Sequence, residues 1–239
     1  MFLAEELIAI HKFDVLKQRF LGGNYATVEE DDNGGFLMHV LAIVGSPRKG
    51  KATDTLVDKA IEGLISENPK CSVAKIHLAN QNIDYCRDCL SCWKRVNEEP
   101  FAKCAIRDDM DSINEELLKA DRLIIGTPVH MAYASALMMT FLERVCWTFA
   151  KPEKSYVLVK GCPAPRSDKK RKAVIIVVSG MIPPRYKRLC NQATPQIRGV
   201  LKDSLNADTV GRLYAGEVWK RGASFYYAKA LKLGKMLAK

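Results

Sequence analysis

The sequence predicts a doubly wound α/β domain: five parallel strands in the order 2-1-3-4-5, with helices on both faces. Three observations predict it. Short apolar runs within 39–44, 122–127 and 173–179 read as strands buried on both sides. Helical patterns alternate with these runs, and that alternation calls for crossover connections and a parallel sheet. Turn residues follow the runs at Gly45-Ser46-Pro47, Gly126-Thr127-Pro128 and Ser179-Gly180, where the strands should end.

Residues 1–21 place Leu3, Leu7, Ile10, Phe13, Leu16 and Phe20 at three- and four-residue steps, an amphipathic helix that Gly22 and Gly23 stop. A polar linker, 29–35, follows. Residues 1–36 are therefore read as a helical extension ahead of a main domain, 37–239. Strand one covers 39–44, helix one 53–67 and strand two 72–78. Segment 83–107 is irregular. Helix two covers 109–119, with Asp108 and Asp109 as its capping acids. Strand three covers 122–127. Helix three covers 135–149 and buries Leu137, Phe141, Leu142 and Val145. Segment 151–172 is a basic, proline-containing insertion, read as a solvated loop. Strand four covers 173–179. Residues 184–205 read as mostly helical, 208–214 as strand five, and 219–238 as a terminal helix.

The 239 residues are ample for one sizeable core, and 48% hydrophobic with 27% charged is ordinary for a soluble chain. The stretch 123–142 lacks Asp, Glu, Lys and Arg. Gly126, Thr127, Pro128, His130 and Ser135 interrupt it, so it divides into strand, loop and helix rather than a membrane span. Glu5 and Glu6 stand early and no small-residue cleavage site follows, so a cytoplasmic location is expected. Eight cysteines there point to metal or redox chemistry rather than a disulfide scaffold. The net charge of +10 gathers partly in 151–188. That excess suits a docking face for an acidic redox partner or a phosphorylated cofactor. Nucleic-acid binding is not expected, because no nucleic-acid-binding motif or aromatic platform accompanies the charge.

The loop from Gly45 to Thr55 joins a strand end to a helix N-terminus, which collects free amides at the positive end of a dipole. Ser46, Thr53 and Thr55 add hydroxyls and Arg48 a charged fork. The chain lacks GxxxxGK[ST] and GxGxxG here, so neither an NTPase phosphate loop nor the usual dinucleotide turn is expected. An ordinary βα turn with a solvated arginine has the same outline.

The run Gly45-Ser46-Pro47-Arg48, followed by Thr53 and a helix, resembles the opening of the NADPH-dependent FMN reductase family, whose members are flavodoxin-like. The resemblance implies that Ser46, Arg48 and Thr53, with the neighbouring Ala52, Asp54 and Thr55, surround an FMN phosphate. Ala52 stands where the family has Asn, which removes one donor. Gly126 to Ser135 is similar to the family loop that lies along the flavin ring, followed by a helix ending in an acid–Arg pair, here Glu143-Arg144. This implies flavin contacts from Pro128, Val129, His130, Met131 and Ser135. His130 replaces an aromatic; it suits stacking on the flavin or a plain exposed loop position. Ser179 and Gly180 should give the third wall.

Cys86, Cys89 and Cys92 repeat at two-residue gaps, and Cys104 follows eleven residues on. Three such thiolates can wrap one face of a cubane, with a fourth closing it. The pattern resembles the iron–sulfur flavoproteins, a branch of the same family, and implies a [4Fe–4S] cluster on these four residues. A Cys₄ zinc site, a redox dithiol, or thiols holding no metal also use such residues. Cys71, Cys146, Cys162 and Cys190 stand singly and read as small apolar residues or free thiols.

Together these readings point to an FMN-dependent oxidoreductase, with NAD(P)H as the hydride source and nicotinamide nucleotide as a partner. An acidic protein such as ferredoxin, and a homodimer or homotetramer, are the further expectations. An FMN electron carrier that never meets a nicotinamide, and a metal-binding interaction module with a decayed flavin site, are the rival readings.

Overall fold

The computed structural model describes residues 37–156 and 158–239; the helical extension expected over 1–36 lies outside the described residues. Strand β1 is Met38–Val44, helix α1 Ala52–Glu67 and strand β2 Cys71–His77. A single helical turn, α2, Ser91–Lys94, interrupts the cysteine segment, and α3 is Met110–Lys119. Strand β3, Arg122–His130, turns back into the short β4, Tyr133–Ala134. Helix α4 is Ala136–Phe149. Strands β5, Ala150–Tyr156, and β6, Val159–Pro165, form a separate antiparallel hairpin. Then come β7, Arg171–Val178, α5, Ala193–Asp203, β8, Ala207–Ala215, the turn α6, Val218–Arg221, and α7, Tyr227–Ala238.

The main sheet runs β2-β1-β3-β7-β8, all parallel. Counting these strands in chain order gives 2-1-3-4-5, as the sequence predicts. Alternation along the strands divides the core in two. Leu41, Ile43, Leu123, Ile125, Ile175 and Val177 face α3, α4 and α5 on one side. Val40, Ala42, Val44, Ile124, Val174 and Ile176 face α1 and α7 on the other. Both sides are dry, which is why these runs read as continuously apolar.

Helices α1 and α7 meet through glycines. A Cβ on Gly234 would strike the carbonyl of Ala60, and one on Gly63 the carbonyl of Leu231. Backbone thus packs on backbone there, and no larger side chain fits.

Three expectations are corrected. Segment 151–172 is not a solvated loop: most of it pairs as the antiparallel β5–β6 hairpin, with register shifts around Lys154. The helical reading of 184–205 holds only for α5; Pro183 and Pro184 restrict the start to a 3-10 turn. The terminal helix breaks at Gly222, whose φ is +77°, so only α7 is a long helix. Among the described residues, no helix is long and apolar enough to cross a membrane.

Candidate functional site

The carboxyl ends of β1, β3 and β7 lie side by side, with Val44 opposite Gly126 and Pro128 opposite Val178. Strand order switches between β1 and β3, and in open α/β sheets the crevice that takes ligands lies beyond the strand ends at such a point. Three loops meet there: 45–51, 128–135 and 179–182.

The first loop is folded from within. The buried Ser46 hydroxyl accepts from the Arg48 amide at 3.2 Å, which makes a tight serine turn and leaves the Arg48 side chain in solvent. Lys51 occupies the N-cap of α1, and no side chain caps the helix. A 16-residue helix therefore presents first-turn amides and its positive pole to the crevice. Ala52 and Thr53 stand in that turn. Thr55 sends its hydroxyl back to the Ala52 carbonyl at 3.3 Å.

Asp54 works behind the loop rather than in the crevice. It is 5% exposed and accepts from the Gly50 amide at 2.6 Å. Lys75 Nζ lies 2.5 Å from its Oδ1, and His77 Nε2 3.4 Å. Burial pushes this carboxyl upward, but the Lys75 ammonium and the Gly50 amide outweigh it and hold it below the ordinary range. His77 is driven below its ordinary value, chiefly by burial. Sequence reading assigned Asp54 to the cofactor; its contacts make it the strut that pins Gly50.

Ser135 ties the second loop to the first. Its hydroxyl donates to the Gly45 carbonyl at 2.5 Å, and its oxygen accepts from the Met138 amide as the N-cap of α4. The Gly45 amide donates to the Gly126 carbonyl at 2.8 Å. A Cβ on Gly45 would sit 2.9 Å from Met138, so only glycine lets the strand end dock on α4. Met131 and Ala132 take left-handed backbone, with φ of +49° and +71°. The turn thrusts Met131 out, 92% exposed, beside exposed His130 and Tyr133. Pro128 and Val129 line the half-buried floor.

In the third loop Ser179 is buried and accepts from the Ile182 amide at 3.2 Å. A Cβ on Gly180 would lie 2.5 Å from the Trp219 ring, whose other surface is open, the residue being 71% exposed. The expected close approach at Gly180 is thus to Trp219. Sequence reading missed this tryptophan, forty residues downstream.

The cysteine segment is a second centre. Cys86, Cys89, Cys92 and Cys104 line one concavity, with Leu90, Trp93 and Trp147 around them. Asp88 and Leu90, between the cysteines, hold left-handed backbone at φ +47° and +57°. Such strain in non-glycine residues persists where the surroundings fix it. All four thiols are unpaired. Among the described residues, no three of His, Cys, Asp and Glu converge closely enough to hold a single ion. Four cysteine thiols on one concavity are a donor set of the kind a thiolate-ligated cluster uses.

Two buried arginines fix this segment. Arg144, 2% exposed, binds both oxygens of Asp108 at 2.5 and 3.0 Å and donates to the Asp84 carbonyl at 2.7 Å. Arg144, the arginine of the acid–Arg pair that resembles the family's helix end, turns its guanidinium to the cysteine segment, where Asp108 is buried with it. Asp108 also accepts from the Met110 amide at 3.0 Å, while Asp109, the N-cap residue of α3, makes no side-chain cap and accepts from the Asn82 amide instead. Burial pushes Asp108 upward, but Arg144 and the Asp84 and Met110 amides bring it below the ordinary range. Arg166, also 2% exposed, donates to the carbonyls of Arg95 at 2.6 Å, Cys92 at 2.9 Å and Glu98 at 3.0 Å. No sequence signal marked Arg166, which stood inside the supposed loop.

Known proteins fit this geometry. The chain is 32% identical over 108 residues to an iron–sulfur flavoprotein of Archaeoglobus fulgidus, covering 45% of this chain and 46% of that protein. It is 34% identical over 107 residues to an iron–sulfur flavoprotein of Methanocaldococcus jannaschii, covering 45% and 51%. The matched part spans about half the length of these relatives. An FMN-dependent NADH-azoreductase of Bacillus anthracis, solved in complex with FMN, shares the fold. Its TM-score is 0.60 at 12% identity, over 85% of this chain and 100% of that one. The model of the NADPH-dependent FMN reductases matches residues 38–204, which take in four of the five parallel strands, the three loops and the cysteine segment, and the chain belongs to that family.

Proposed function

We propose that this chain is an FMN-dependent oxidoreductase that takes hydride from NAD(P)H and passes electrons on through an iron–sulfur group. The observation that carries the reading is the uncapped N-terminus of α1 at the switch point of the sheet, ringed by Ser46, Arg48 and Thr53. A phosphate is the ligand such a corner favours. Around it, first-turn amides and Arg48 hold the anion, Asp54 keeps Gly50 in place, and Ser135 keeps the second loop against the first. Pro128, Val129, His130, Met131, Ser179 and Gly180 form the walls for a flat ring. When bound, FMN supplies the exchange between two-electron and one-electron steps.

The four-cysteine concavity supports a [4Fe–4S] cluster by its donor set, its strained turns and its buried arginines. Trp147 of that concavity lies twelve residues along from Ser135, about 18 Å of helix at 1.5 Å per residue. That spacing favours delivery to or from a flavin on a second copy of the chain, and so a homodimer or homotetramer. Exposed Arg185, Lys187 and Arg188 follow the third loop, and the Gln192 amide ties their segment to the Ala132 carbonyl at 2.7 Å. They suit a nicotinamide nucleotide's phosphates or an acidic protein such as ferredoxin. A cytoplasmic setting accords with the unpaired thiols.

The test is quantitation of flavin, iron, sulfide and zinc on anaerobically purified protein, followed by NADH and NADPH oxidation without oxygen. The reading expects stoichiometric FMN and nicotinamide turnover. Flavin bound without turnover would make the chain a carrier. Failure to bind added FMN would sink the assignment.

A further inference from the structure

Arg166 is a buried guanidinium that no close anion neutralises: Glu98 and Glu99 favour its charge from beyond ion-pair distance, and burial outweighs them. Among the described residues, no carboxylate forms an ion pair with it, and its Nε has no hydrogen-bond partner. Its three bonds end on neutral carbonyls. The contrast with its neighbours is informative. Arg144 has Asp108. Arg171, equally buried, sits on the Leu117 and Ala120 carbonyls at the end of the ten-residue α3, where a helix dipole supplies negative charge. Arg166 meets only the single turn α2 and the loop after it. An uncompensated buried charge is costly, and one persists where something offsets it.

What adjoins Arg166 is the cysteine concavity. Its bond to Cys92 is to the backbone of the third cysteine, and Arg95 and Glu98 belong to the span leading to the fourth. The β5–β6 hairpin puts it there: Ala150 pairs with Pro165, and the Arg166 amide donates to the Phe149 carbonyl at 2.9 Å. The hairpin thus leaves the end of α4 and returns to it one residue before the arginine.

We propose that Arg166 is the positioning residue and counter-charge of the four-cysteine site, pinning the Cys92–Cys104 span and offsetting the net negative charge of a thiolate-ligated iron–sulfur cluster. This rests on the cluster reading given above. It assigns the hairpin a purpose, since the hairpin delivers the arginine.

The experiment compares full-length wild type, Arg166→Gln and Arg166→Lys, each reconstituted anaerobically with ferrous iron and sulfide. Cluster loss to a chelator and the cluster's reduction potential are measured, with FMN content and melting temperature as checks on folding. Arg166→Gln should lose cluster about 10- to 100-fold faster, as outer-shell partners do, and its potential should fall. Arg166→Lys should keep the charge, and so a potential near wild type, while still losing cluster faster because it cannot bridge three carbonyls. If Arg166→Gln does not fold, the lysine variant decides: wild-type retention would overturn the proposal. Equal potentials and retention in all three would also overturn it. So would equal falls in potential for Gln and Lys, because charge would then not be the cause. A wild type that takes up no iron and sulfide would remove the cluster reading itself, a result distinct from a loaded wild type with indifferent variants.

Discussion

Replacing Asp54 with alanine should loosen the phosphate corner and destabilise the domain together. The carboxylate holds the Gly50 amide at 2.6 Å and faces Lys75 at 2.5 Å. A hydrogen bond to a charged acceptor contributes about 1.5–3 kcal/mol. Breaking a buried ion pair costs about 3–5 kcal/mol when the remaining charge is stranded. Here Lys75 keeps Asp58 at 2.5 Å, so stranding is partial. The sum is about 3 kcal/mol, or about 6–12 °C in melting temperature for a domain of this size. Because Asp54 titrates below the ordinary range when folded, its contribution is complete above about pH 4 and disappears as pH falls through the folded value. The gap between wild type and variant should therefore be full at pH 7 and close in acid. FMN affinity should drop about fivefold as Gly50 gains freedom worth about 1 kcal/mol. Thermal melts across pH, with flavin fluorescence titration at pH 7, make the measurement. A melting temperature within ~2 °C of wild type at pH 7, or a gap that widens in acid, would refute the reasoning.

Ser135→Ala removes both the Gly45 carbonyl bond and the α4 cap; a loss of about 1–2 kcal/mol is expected by denaturant melt, with weaker FMN binding. Arg48→Ala alters an exposed residue, so stability should hold within about 0.5 kcal/mol. Its FMN dissociation constant should rise about 5- to 12-fold, for about 1–1.5 kcal/mol, in a fluorescence titration. Gly234→Val drives a side chain into the Ala60 backbone and should be the most damaging change, at least ~3 kcal/mol, read as lost soluble yield or a collapsed melt.

Much of this molecule was legible along the chain. The Val/Ile runs announced strands because both sheet faces are dry, and local period is enough to reveal that. Gly45-Ser46-Pro47 and Gly126-Thr127-Pro128 marked strand ends, because turn chemistry is local. The four cysteines declared themselves by spacing.

What the sequence could not rank was the side-chain partners. Asp54 looked like a first-turn ligand until Lys75 and His77, from the neighbouring strand, claimed it. Arg144 was legible only as the end of a helix, and nothing in the sequence showed that Asp108, 36 positions back, takes its guanidinium. Trp219 reached Gly180 and Arg166 reached Cys92 across 74 positions through folds of the chain that no period records. The sequence by itself determined the sheet, its covering helices and the loop positions, because hydrophobic burial repeats with the backbone. Tertiary structure alone decided which charges are paired and that Arg166, beside the cysteines, has no ion-pair partner among the described residues. Electrostatic partnership depends on distance in space, and distance along the chain does not encode it.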